Sequence, residues 1–236
     1  MNRTSILLIG HGSRDPIAAG EFLDFARRFQ AYNGFKDSVE INCAFLELSC
    51  PLIPETLNRL AESGAKKIVV IPYLLFSAGH VKTEIPEILS EFSRSHPEVE
   101  IKYGNCLWPH ENLVELSAER IRETLCSFPV ETRDEIDVLV VGSGATDADA
   151  IGQFNEMMQK LRLRITCRKL HHSFIALAEP RYSDLLPRML ENGTTNLVIF
   201  PFYLFTGILV KRIEVLAGEL KKKHSEKNIK IAPYFG

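Results

Sequence analysis

The chain has 236 residues, 45% of them hydrophobic and 25% charged, with a formal net charge of −2. That length suits one large or two small domains, and the balance is that of an ordinary globular protein. The charge argues against bulk nucleic-acid binding, which calls for a basic face. No apolar run reaches membrane-spanning length, and the amino terminus lacks the charged-then-apolar pattern of a signal peptide. The reading is therefore a cytoplasmic protein with neither nucleic acid nor membrane as partner. Cys43, Cys50, Cys106, Cys126 and Cys167 form no C-x-x-C pair. Their odd number and wide spacing fit a reducing compartment better than a disulfide framework or a cysteine metal site.

Four strand-like runs punctuate the first half: Ser5–Gly10, Val39–Leu48, Lys67–Leu75 and Val99–Leu107. Helical spacing lies between them. Phe22, Phe25, Ala26 and Phe29 recur at i, i+3, i+4 and i+7. Pro51 opens a second helix that Gly64 closes, a third begins near Thr83 or Pro86, and a fourth follows Pro109. The second half repeats the order, with strands expected over Asp137–Val141, Ile165–Leu170, Asn196–Phe202 and Ile229–Pro233. Strands alternating with helices imply right-handed crossovers and parallel sheets. The expected α/β architecture is two similar lobes, residues 1–128 and 136–236. Each is a parallel sheet of about four strands flanked by helices, and the two face each other across a cleft. Residues 127–134 form the expected connection. Such a cleft, formed within one chain, suits a monomer.

The repeat is legible residue by residue. Leu139–Asp147 copies Leu7–Asp15 at an offset of 132 (139 minus 7), with Ser143 in place of His11. Phe200–Lys211 copies Ile71–Lys82 at an offset of 129 (200 minus 71), with Leu209 in place of His80. Both strand-end histidines sit in the first half and neither is in the second, so a duplicated fold with one chemical half is expected.

Ligands gather at the carboxyl ends of parallel strands. His11 ends the first strand, Glu47 the second and His80 the third. Two imidazoles and a carboxylate at one edge would suit a divalent transition metal and could also take protons. A strand-end histidine also serves simply to cap a loop. The acid aligned with Glu47 in the second half is Glu179. Gly12 and Gly79 permit tight turns or close backbone approach. Gly10-x-Gly12 lacks the rest of a dinucleotide fingerprint. His171 and His172 would point to opposite faces of a strand, which disfavours a joint metal role. Lys221–His224 reads as the solvated end of a helix.

Leu8–Asp15 resembles the opening segment of the sirohydrochlorin chelatase family (CbiX/SirB type). Ala44–Glu47 with Pro51 resembles that family's second segment, and Pro72–His80 with Ile85 and Pro86 its third. The likeness covers both halves, as in the long, duplicated members. It implies a chelatase-type α/β fold in each lobe and insertion of Fe²⁺ or Co²⁺ into sirohydrochlorin, a tetrapyrrole, with no organic cofactor. It makes His11 and His80 the metal-handling histidines, with His11 also the proton acceptor. Glu47 and the loop Leu75, Phe76, Ser77, Ala78, Gly79 become the substrate-contacting elements. The second half departs from the pattern at Ser143 and Leu209. A histidine-rich tail, present in some cobalt-associated long members, is missing, which points to iron.

The chemistry suits the residues. A free tetrapyrrole carries two N–H protons that must leave as the metal enters. Neutral imidazole binds Fe²⁺ or Co²⁺ and accepts a proton near neutrality. The substrate is rich in carboxylates, so cations near the strand ends are candidate contacts: Arg14 and Lys82, with Arg181, Lys211 and Arg212 in the second half. Two further readings stand beside it. A non-enzymatic tetrapyrrole or metal carrier would use the same residues without insertion. A histidine phosphotransfer hydrolase is disfavoured because Gly10, not arginine, precedes His11.

Overall fold

The computed structural model describes residues 3–32 and 39–236. These fall into two compact units, Met1–Trp108 and Pro109–Gly236. The first unit holds β1 (Arg3–Gly10), α1 (Pro16–Tyr32), β2 (Val39–Phe45), α2 (Ile53–Glu62) and β3 (Ala65–Pro72). A π-helical turn (His80–Glu84) then runs into α3 (Ile85–Ser95), and β4 (Glu100–Tyr103) ends the unit. The four strands are parallel, in the order β2-β1-β3-β4. The chain leaves β1 for β2 on one side and then crosses to β3 on the other. The carboxyl ends of β1 and β3 therefore flank a switch point, where such sheets bind ligands.

Burial explains the layering. Leu7, Ile9, Ala44, Ile68 and Val70 on the strands close against Ile53 and Leu57 of α2 and Ile85 and Leu89 of α3, all nearly or fully buried. Each of the leucine, isoleucine and valine side chains contributes about 1.5–3 kcal/mol of transfer free energy. The periodicity expected of α1 appears as buried Phe22 and Ala26, with Phe25 stacked on Phe29 at 5.8 Å. Phe22 meets Phe45 edge-on at 5.3 Å.

The second unit holds α4 (Glu111–Leu125), a 3₁₀ turn (Val130–Glu135), β5 (Ile136–Gly142), α5 (Ala148–Arg162) and β6 (Lys169–Phe174). It continues through α6 (Tyr182–Glu191), β7 (Asn196–Pro201), α7 (Ile208–Lys223) and β8 (Asn228–Ile231). Its sheet, β6-β5-β7-β8, has the same order and is again parallel. Tyr182, Leu186 and Met189 of α6 and Ile213 and Ala217 of α7 cover one face.

Several boundaries differ from expectation. By packing, α4 belongs to the second compact unit, because it lies on α5 and β7. Val114, Ala118 and Ile121 of α4 are fully buried there. Glu111 on α4 takes Lys160 of α5 and Arg164 just beyond that helix, each at 2.7 Å. Residues 127–134 thus lie inside the second unit, and Val130–Glu135 is a 3₁₀ turn. The expected strand at 165–170 begins only at Lys169 and runs to Phe174, and β4 is shorter than Val99–Leu107. Apolar residues flanking a strand are buried whether or not they pair, so an apolar run overstates strand length. Among the described residues no helix is long and apolar enough to cross a membrane.

Candidate active site

The carboxyl edge of the first sheet is built by backbone pairing that outlasts the strands. Leu46 N–H donates to the Gly10 carbonyl (2.9 Å) and Glu47 N–H to the His11 carbonyl (3.1 Å). Tyr73 N–H donates to the Ile9 carbonyl (2.8 Å), extending β3 along β1. Gly12 has φ +96°, and a Cβ there would fall 1.7 Å from the Glu47 carbonyl oxygen. Only glycine lets the two loops approach so closely. Ser13 and Ser49 lock them: Ser13 N–H donates to Ser49 Oγ (3.1 Å), and Ser49 Oγ–H donates to the Ser13 carbonyl (3.0 Å). Asp15 then accepts from Ile17 N–H (3.2 Å) and starts α1.

Three predicted residues meet on this frame. The His11 and His80 rings lie edge-to-face, 4.9 Å between centroids and 87° apart. His11 Nδ1 is 3.7 Å from Glu47 Oε1. All three side chains are between a third and a half exposed, open to an incoming molecule. Among the described residues no group of three or more His, Cys, Asp or Glu is gathered as a metal cage. The structure brings together the pair of imidazoles, with Glu47 beside His11. A site with few protein ligands leaves coordination positions for a ligand that brings its own donors.

The loop after β3 is half-buried through Leu75, Phe76, Ser77 and Ala78. Trp108 N–H donates to the Leu75 carbonyl (3.0 Å), and the Phe76 and Trp108 rings meet at 6.2 Å. Gly79 has an ordinary right-handed backbone (φ −46°), and a Cβ there would meet nothing within 4 Å. Arg14 and Lys82 are exposed beside the histidines in sequence. Arg181 in the second unit is 3.0 Å from Glu179 Oε1, which partly neutralises it. His171 and His172 lie on β6, where His171 Nε2 is 3.9 Å from Asp137 and His172 packs against Phe154 at 5.7 Å. A surface cavity of about 630 Å³ in the second unit, lined by α4, α7 and β8, holds none of the site residues.

The second unit reproduces the frame without its chemistry. Ala176 N–H donates to the Ser143 carbonyl (3.0 Å), as Glu47 does to His11. Gly144 (φ +82°) sits against the Ala176 carbonyl, and Leu177 (φ 58°) answers Leu48 (φ 62°). The counterpart of Glu47 is therefore Ala176, not Glu179. The offset falls from 132 to 129 between β5 and β6, so extending the first offset past α5 misplaces the acid. Sequence reasoning also passed over Glu84, whose Oε1 lies 3.0 Å from His80 Nδ1. A second drop in the offset, from 129 to 128 across residues 81–85, is the signal that marks it.

Fold and site together define a duplicated parallel α/β protein of chelatase type, with histidines at one of two equivalent sheet edges. The sequence profile of the CbiX family matches residues 5–124 and 137–236. The chain belongs to the CbiX family. It is 31% identical over 232 residues to a sirohydrochlorin cobaltochelatase of Priestia megaterium, covering 98% of this chain and 74% of that protein. It is 30% identical over 210 residues to a sirohydrochlorin ferrochelatase of the same organism, covering 89% and 76%. The structure of SirB from Bacillus subtilis with Fe³⁺ superposes with a TM-score of 0.81 at 28% identity, covering 99% of this chain and 89% of that one.

Proposed function

We propose that this protein is a sirohydrochlorin metallochelatase, placing Fe²⁺ in the macrocycle to give siroheme. The observation that carries the reading is the edge-to-face pair of His11 and His80 at the switch point of a CbiX-family sheet. The divalent metal is a substrate. His80 and His11 hold it at the sheet edge while the macrocycle supplies the remaining donors. As the metal passes to the four ring nitrogens, two N–H bonds break and two protons leave, so charge balances: M²⁺ replaces 2 H⁺. His11 takes one proton from the ring and the second passes to solvent, while Glu47, 3.7 Å from the His11 Nδ1, stabilises the imidazolium that forms. The Leu75–Gly79 loop contacts the macrocycle, and Arg14 and Lys82 meet its carboxylates.

Cobalt insertion is the second reading, favoured by the 31% identity to a cobaltochelatase. Imidazole suits both metals, so affinity alone does not separate them. Anaerobic turnover of sirohydrochlorin with Fe²⁺ and Co²⁺ side by side, followed by absorbance, tests both. Faster insertion with Fe²⁺ supports the siroheme assignment, and faster insertion with Co²⁺ replaces it. Binding of macrocycle and metal with no rate above the protein-free blank would leave a carrier.

A further inference from the structure

We infer that Glu84 is the positioning residue of His80, placed there by a one-residue insertion that the second copy lacks. The inference rests on the proposed chelatase reading, in which His80 handles the metal.

The insertion shows in the spacing of buried residues. In the first copy the buried Val81 and Ile85 are four apart; in the second, Val210 and Ile213 are three apart. The extra residue is accommodated as a π turn over His80–Glu84, whereas α7 is a regular α-helix. Such bulges are rare and concentrate at functional sites. Here the gain is specific. Four residues after Leu209 stands Ile213, a fully buried core residue. Four residues after His80 stands Glu84, with Oε1 3.0 Å from Nδ1. The insertion substitutes a carboxylate for a core isoleucine at that position.

The neighbouring sequence fits the bulge. Ile85 N–H reaches back five residues to the His80 carbonyl, leaving the Val81 carbonyl without its helical donor. Pro86, next in line, has no N–H. Tyr103 O–H donates to that carbonyl instead, at 2.9 Å. In the second copy Glu214 stands where Pro86 does. Ile231, with no hydroxyl, occupies Tyr103's register position: Tyr103 pairs with Val70 and Ile231 with Ile199.

The geometry explains what Glu84 does. His80 Nδ1 is shut off from solvent and has no aligned hydrogen bond, although Glu84 Oε1 lies at ion-pair distance. The torsion that orients an imidazole is soft, so a modest ring rotation aligns the pair. With Nδ1–H directed at the carboxylate, the lone pair resides on Nε2, the nitrogen left to ligate. A carboxylate behind a ligating imidazole fixes its tautomer and raises its basicity.

Co²⁺ alone, titrated anaerobically into the full chain and followed by its d–d absorption, tests the assignment, together with steady-state KM values for metal and macrocycle. Glu84→Ala should weaken Co²⁺ binding about tenfold or more and raise the metal KM, with the macrocycle KM unchanged. Glu84→Gln, whose carbonyl still accepts from Nδ1–H, should recover most of the loss. In a His80→Ala background, Glu84→Ala should add nothing. If His80→Ala abolishes binding while Glu84→Ala leaves it unchanged, Glu84 is dismissed and the metal role of His80 stands. An additive loss in the double variant would reduce Glu84 to a general charge effect and overturn the inference. If His80→Ala itself leaves Co²⁺ binding intact, the metal assignment of His80 fails and Glu84 falls with it. Glu84 is about half exposed, so thermal melts of the variants should overlay the parent's.

Discussion

The two sheet edges of this protein share a backbone and differ in their chemistry. The bonds Glu47 N–H to His11 and Ala176 N–H to Ser143 agree within 0.1 Å, at 3.1 and 3.0 Å. Gly12 and Gly144 press on corresponding carbonyls, those of Glu47 and Ala176, and Leu48 and Leu177 share a left-handed conformation. Yet His11, Glu47 and His80 become Ser143, Ala176 and Leu209. The loops therefore do not need these side chains in order to fold. At these loops, a polar residue kept in one copy and dropped in its twin is a candidate for function, a comparison that a single-copy fold does not offer.

The sharpest way to break this comparison is at its first pair. His11→Ala removes the proposed base and one metal contact, and should slow insertion about 10³-fold, within the range for a general base. Ser143→Ala should leave turnover at the parent rate. Equal losses, measured by absorbance under identical metal and macrocycle concentrations, would put a second active edge in the other copy.

The next largest effect lies at the opposite end of the matched central strands, where the copies again differ. Asp137 on β5 is almost fully buried and accepts from Arg168 (2.8 and 2.6 Å) and Thr194 (2.9 Å). Its counterpart on β1 is Ser5, fully buried with an unpartnered Oγ. Asp137→Ala should cost about 2–3 kcal/mol, less than a wholly buried pair because Arg168 is partly exposed. Ser5→Ala should be neutral or slightly stabilising. Burial pushes the Asp137 carboxyl up, but the bonds from Arg168 and Thr194 and the Arg168 charge outweigh it and hold the group below the usual carboxylate range. A lowered value means that Asp137 contributes stability above about pH 4, which is lost as the pH falls through its lowered value. Thermal melts from about pH 6 to pH 3 should show a smaller fall for Asp137→Ala than for the parent. Parallel curves would remove Asp137 from the acid response.

The smallest effect sharpens the alignment itself. Glu47→Gln keeps the shape but loses the charge beside His11, and should lower kcat about tenfold, or ~1.4 kcal/mol. Glu179→Gln should leave kcat unchanged, because Glu179 pairs with Arg181 instead of occupying Glu47's place. A matching loss from Glu179→Gln would restore the simpler alignment at offset 132.

The sequence alone determined the duplicated α/β architecture. Apolar runs followed by helical spacing are local patterns, and two copies of each pattern in one chain reinforce one another. It also marked His11, Glu47 and His80, because a polar residue just past a buried strand is conspicuous, and for the two histidines the aligned Ser143 and Leu209 show that the fold does not require them. Only the tertiary structure decided the rest. Helix α4 follows the first sheet in sequence but buries Val114, Ala118 and Ile121 in the second unit, and its amphipathic pattern says that it must pack, not where. The true counterpart of Glu47 depended on backbone bonds across the sheet edge. The partnership of His80 with Glu84 depended on a helix that takes an extra residue without losing its buried face. Side-chain periodicity assumes a regular helix, so one added residue displaces every later match by one and conceals the carboxylate brought to the histidine.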